Sequence, residues 1–187
     1  MLFYSRRYKK IQSSIQSRGM ARKTIQFAHS KIHHGRGYDV DVDFTLTGVT
    51  ATYYHIETGD LNMHLKDLEL TTNKADVQCE IFKLPTISKN ETPVEVVVFN
   101  SDDTSSNVCS MKLYSNSTIT AEGTKRKIYY IPGAVYSNNK EAGQSKTSDE
   151  WEIILNKNSD YLIKVLRLVA DGNTKVVMRL KMYEEIS

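Results

Sequence analysis

The chain has only two cysteines, Cys79 and Cys109, which excludes a disulfide-dense scaffold. Three prolines and nine glycines rule out collagen-like and Pro-rich architectures. No apolar run approaches the roughly 18 residues of a bilayer-spanning helix. The opening Met1-Leu2-Phe3-Tyr4 turns basic at once and lacks the apolar stretch of a secretory signal. The expected state of both cysteines is therefore a free, semi-buried thiol. Without secretion, Asn90-Glu-Thr and Asn116-Ser-Thr are chance matches to the glycosylation pattern.

Catalytic signatures are missing as well. There is no Gly-rich phosphate loop, Gly-x-Ser-x-Gly, His-Glu-x-x-His or Cys-x-x-Cys. Adjacent carboxylates such as Glu184 and Glu185 project to opposite faces of a strand, which is wrong for shared acid–base work. His29, His33 and His34 cluster in sequence, but no nearby carboxylate or thiol completes a tetrahedral metal set. These readings point to a protein that is not an enzyme and holds no cofactor.

Acidic residues are absent before Asp39, whereas residues 1–38 hold nine basic ones. The remainder carries 16 of the 25 basic residues against all 22 acidic ones, a net of −6. The composition describes a basic arm on an acidic body. We place the arm at residues 1–23, extended or weakly helical, because Ile11 and Ile15 alone make no buried stripe. Its charges Arg6, Arg7, Lys9, Lys10, Arg18, Arg22 and Lys23 are candidate partner contacts. Protein surface ranks ahead of nucleic acid as their target, a solvated tail is the plainer alternative, and the composition also fits a transit peptide.

Residues 24–187 read as one all-β domain. Tyr38, Val40, Val42, Phe44 and Leu46 alternate with Asp39, Asp41, Asp43, Thr45 and Thr47, the period-2 pattern of a strand with one dry face. The Asp row lacks the Gly and Glu of a calcium loop and reads as a solvated charge comb. Leu61, Met63 and Leu65 alternate, then Leu68 and Leu70 resume one residue out of phase, so a β-bulge is expected at Lys66-Asp67. Residues 86–92 read as a loop. Residues 100–107 contain no apolar side chain, and Asn100, Asp102, Asp103 and Asn107 are candidate exposed contacts. In residues 151–185 two apolar runs flank Asp171-Gly172-Asn173, a local hairpin signal. In the second run Val176, Met178, Leu180 and Met182 face the core, opposite Leu162, Leu166 and Leu168. Lys175, Val177, Arg179 and Lys181 face solvent, where Arg179 and Lys181 are expected to meet the Asp comb of an adjacent strand or subunit. Nine or ten short strands with such turns predict an antiparallel β-sandwich of jelly-roll type.

Several of these segments recur together in one group: His34-Gly35-x-Gly37-Tyr38, TYYHI followed by LNMHLKDLEL, the polar loop from Asn100, Ile131-Pro132-Gly133, and the ending from Asn158 through YLIKV to RLKMYEE. In these the chain resembles the small β-rich virion proteins of tailed bacteriophages, the head decoration or auxiliary capsid proteins. The resemblance spans roughly residues 24–185 and leaves out the arm. It implies a non-enzymatic structural protein in the virion, made in the host cytoplasm. Such proteins assemble with copies of themselves, often as a trimer, and dock on the major capsid protein or other virion proteins. It implies no membrane contact. A head-fibre or tail component that binds a host-surface glycan through residues 100–107 is the alternative.

Overall fold

The computed structural model describes residues 36–89, 92–98, 108–133, 143–146, 152–169 and 172–185. They form fourteen strands in chain order: β1 (Gly37–Thr47), β2 (Thr52–Glu57), β3 (Met63–Thr72), β4 (Val77–Lys83), β5 (Thr86–Lys89), β6 (Thr92–Val94), β7 (Val97–Val98), β8 (Lys112–Ser115), β9 (Thr118–Ala121), β10 (Thr124–Ile131), β11 (Gly143–Lys146), β12 (Ile153–Leu155), β13 (Asp160–Arg167) and β14 (Asn173–Glu184).

Every pairing is antiparallel; twelve of the strands make two six-stranded sheets, and β5 and β9 make a separate pair. In sheet A the order is β11-β3-β14-β1-β7, with β12 also on β3; in sheet B it is β10-β4-β13-β2-β8-β6. Setting aside β5 to β9 and taking β11 and β12 as one broken strand leaves eight principal strands. Their sheets read first-eighth-third-sixth and second-seventh-fourth-fifth, the nested crossing order of a jelly roll. One apolar core lies between the sheets. Val40, Leu68, Val176, Met178 and Leu180 enter from sheet A and Ile56, Cys79, Ile81, Ile163 and Val165 from sheet B. The rings of Phe44 (β1) and Tyr54 (β2) meet across the gap at 5.4 Å.

Sheet A follows the expected alternation. In β14 Val176, Met178, Leu180 and Met182 are buried while Lys175, Val177 and Lys181 are exposed. The expected bulge is present, because β14 steps from Asp67 to Leu65 and leaves Lys66 unpaired.

The hairpin of residues 151–185 does not form. β13 lies between β2 and β4 in sheet B, and β14 between β1 and β3 in sheet A. β13 and β14 therefore belong to different sheets. A turn signal is local, and here it loses to a partner that matches β14 over its whole length, from Gly37↔Tyr183 to Thr47↔Asn173. The facing of β13 is corrected too. Tyr161, Ile163 and Val165 enter the core; Leu162 lies on the other face, and Leu168 is 43% exposed.

Residues 84–123, between β4 and β10, are an insertion whose described strands lie at one side of the sandwich. It supplies the edge strands next to β1 and β2, and a separate ribbon of β5 with β9. The segment 86–92 is thus partly strand and not a plain loop. Gly123 ends the ribbon at φ +83°, where a Cβ would lie 2.4 Å from the Lys83 oxygen, so the ribbon is held close to the end of β4.

Candidate interaction surface

Of the sequence-predicted contacts, Arg6, Arg7, Lys9, Lys10, Arg18, Arg22 and Lys23 in the arm and Asn100, Asp102, Asp103 and Asn107 in the loop lie outside the described residues, as do His29, His33 and His34. The structure does describe Arg36 and Ser110, which come after these two segments in the chain. Glu184, at the end of β14, is only 2% exposed. Its carboxylate accepts from the Tyr38 hydroxyl at 2.9 Å and from the Ser110 amide at 2.7 Å, and Arg36 Nη1 lies 3.7 Å away. The Glu184 amide also donates to the Arg36 carbonyl. Arg36 is the first described residue after the arm, and Ser110 follows the polar loop by three residues. One buried carboxylate thus ties the start of β1 to the segment before β8 at one end of the sandwich. Burial first, and then the hydrogen bond to Glu184, raises the Tyr38 hydroxyl well above the usual tyrosine range, so it stays a donor.

Sequence reasoning put Glu184 and Glu185 on opposite faces but gave no partner for either. Glu185 accepts from the Asn62 amide at 2.7 Å. His64 is stacked on Tyr183 with centroids 4.7 Å apart, and its ring nitrogens lie 3.0 Å from Glu152 and 3.5 Å from Glu185. These are ion-pair distances without hydrogen-bond alignment. The end of the sandwich is therefore a dense polar clasp.

The outer face of sheet A carries a charge ladder. Asp39 stands opposite Lys181, and Asp41 opposite Arg179. On the other side of β14, Lys181 faces Asp67 and Arg179 faces Glu69. Arg179 donates to Asp41 through both Nε (2.7 Å) and Nη2 (3.2 Å), the fork geometry that suits a carboxylate. The expected meeting of Arg179 and Lys181 with the Asp comb occurs within one subunit. Burial raises the Asp39 carboxyl, against the opposing pull of Lys181.

On the outer face of sheet B, a cavity of about 510 Å³ is lined by His55, Glu57, Pro85, Thr86, Ile87, Ser88 and Asp160. His55 Nε2 is 2.9 Å from Asp160 Oδ1. The Ser88 hydroxyl donates to the Thr118 carbonyl at 3.2 Å, whereas a nucleophile must offer its proton to a base. Both cysteines are free, and burial pushes each thiol up to about 12, which keeps them protonated at neutral pH. Among the described residues no group of three His, Cys, Asp or Glu side chains is placed to hold a metal. No described helix is long and apolar enough to cross a membrane.

The chain is thus an all-β protein of jelly-roll order. No protein-family model matches it, and no curated protein does. Among solved structures it is similar to the Yersinia pseudotuberculosis-derived mitogen, at 8% identity and TM-score 0.34 over 76% of this chain and 84% of that one. It is similar to hydroquinone 1,2-dioxygenase from Sphingomonas sp. TTNP3, at 8% identity and TM-score 0.31 over 80% of this chain and 60% of that one. The BFDV capsid protein is a third, at 9% identity and TM-score 0.26 over 80% of this chain and 97% of that one. A mitogen, an enzyme and a capsid protein share no function, and at these scores none of them carries an argument about this one.

Proposed function

We propose that the chain is a structural protein of a virion, whose jelly roll assembles with copies of itself and whose arm fastens it to the particle. The observation that supports this reading is the charge contrast between residues 1–38, with nine basic and no acidic residues, and a net-acidic body of jelly-roll order. A rigid sandwich with an unlike-charged extension at one end is suited to holding a neighbour while presenting its own surface. In the finer form, implied by the resemblance to phage head proteins, it decorates or reinforces a capsid as a homo-oligomer, with the arm against the major capsid protein. This role requires neither catalysis nor a cofactor.

A second reading follows from the strand order, which recurs in viral shells as well as in lectins and cupins. There the chain would form the shell, and the nine basic residues of 1–38 would neutralise packaged nucleic acid. Two measurements separate the readings. Deleting residues 1–23 leaves a folded body in both; the anchoring role predicts loss of incorporation into particles, and normal incorporation would overturn it. Nucleic-acid binding by the full chain across a salt series is steep for a shell protein and flat for a decoration protein.

A further inference from the structure

On the side of the sandwich opposite the insertion, the two sheets part around a cavity of about 470 Å³. β10 is the terminal strand of sheet B there, and β12 borders sheet A. The inner wall is Ile81, Tyr161 and Ile153, the first two almost fully buried. The mouth holds Lys83, Arg126, Lys127 and Asn156.

Consecutive residues of a regular strand point to opposite faces, yet Arg126 and Lys127 both line this cavity. The register explains it. Lys125 pairs with Phe82 and Lys127 with Ile81, so Arg126 is an extra residue in a bulge. The bulge turns two adjacent cations onto one opening. Among the described residues none of the three mouth cations has a carboxylate within ion-pair distance. Lys83 lies over the Tyr161 ring and Lys127 over that of Tyr129, at 6.0 and 5.8 Å. The one lining carboxylate, Glu152, is drawn to His64 at 3.0 Å. Protection of a sheet edge accounts for lysines and a bulge. It does not call for cations converging on an opening with an apolar wall.

We infer that this cavity is a binding site for a small organic anion: a carboxylate held by Arg126, Lys127 and Lys83, with an aliphatic body against Ile81, Ile153 and Tyr161. Its size falls within the range of small-molecule sites, and a guanidinium suits a carboxylate because two N–H groups reach both oxygens.

The probe is octanoate, titrated into the full chain at low salt by calorimetry, with inorganic phosphate and octylammonium as controls. Saturable octanoate binding is expected, with phosphate roughly tenfold weaker or worse and octylammonium silent. Arg126 and Lys127 are both exposed, so the double variant R126E/K127E should keep its fold, as checked by circular dichroism, and lose octanoate binding. I153S should weaken octanoate while leaving phosphate unchanged. The inference is overturned by absence of saturable octanoate binding, by equal binding to R126E/K127E, or by phosphate binding as tightly as octanoate, which reduces the site to an adventitious ion only.

Discussion

The two sheets share one core yet treat their outer faces in opposite ways. Sheet A is dry inside and wet outside: its central strand β14 alternates buried and exposed along most of its length, and its outer charges pair across strands in the open. Sheet B is covered on both sides at its centre. Its central strand β13 is buried at Leu162 as well as at its neighbours Tyr161 and Ile163, and in β4 Phe82 is buried beside Ile81. The cover is made by Glu122 of the insertion together with Lys125 and Lys164, whose ammonium groups lie over the Phe82 ring. Glu122, between β9 and β10, accepts from the Tyr53 hydroxyl at 3.1 Å and from Lys164 at 2.6 Å. Glu80, 3% exposed, accepts from Gln78 and Lys125, with Lys164 at 3.7 Å. Burial opposes the Lys164 charge, but the hydrogen bond to Glu122 and the surrounding carboxylates outweigh it and raise its pKa. An antiparallel sheet alternates cleanly only where one face is left to water.

The strongest test of this difference removes a side chain from the covered outer face. Leu162→Ala should cost about 2–5 kcal/mol in urea unfolding, as a core truncation does, because Leu162 is fully buried. Val177→Ala, on the outer face of sheet A, should change stability by less than about 0.5 kcal/mol. Equal effects would mean that the ribbon does not seal sheet B.

Next comes the seal itself. Gly123→Ala meets both a positive φ and the Lys83 and Leu84 carbonyls, so a loss of roughly 1–3 kcal/mol is expected, with faster amide exchange in β5 and β9. Unchanged exchange would place the ribbon's anchor elsewhere.

The dry interior of sheet B also sets an alkaline limit. The folded Cys79 thiol is raised from 9.0 to about 12 by burial, so above pH 9 the unfolded chain releases a proton that the folded chain keeps. Stability is therefore full below pH 9 and is lost as pH rises towards 12. At pH 10 this one group accounts for about 1.4 kcal/mol. Cys79→Ala should flatten the stability profile between pH 8 and 10, and an unaltered slope would contradict the assigned burial.

The smallest effect belongs to the open ladder. Arg179→Ala should cost about 0.2–1 kcal/mol in low salt and less in high salt, since both partners of the bidentate pair with Asp41 are partly exposed. A salt-independent loss would point to a role beyond this pair.

This contrast also separates what was legible in the residues from what was not. β1 and β14 announced themselves, as did the Lys66 bulge, because a phase slip shows only against a regular alternation. The pairing of Arg179 with Asp41 followed from the same pattern. In β13 apolar side chains occur on both faces, so the facing of Leu162 and Leu166 could not be read from period alone. β7 has two residues, too few to carry any period, and β5 looked like loop because its partner β9 is distant in sequence, Ile87 pairing with Ile119. The turn at Gly172 gave the position of a reversal and not which sheet the next strand would join. Glu184 was visible as a strand-end carboxylate, but its partners, Arg36 and Tyr38 at the start of β1 and Ser110 before β8, are far from it in sequence. The bulge at Arg126 left no trace, since its neighbours Lys125 and Lys127 are also basic.

The most direct test of a structural role in a virion is quantitative mass spectrometry of intact particles purified from cells producing this chain, with its copy number set against the principal shell protein. We predict the full-length chain in particles at a high and symmetry-related ratio to that protein, or as the shell protein itself. Its absence from purified particles, or a trace amount removed by a salt wash, would contradict the account.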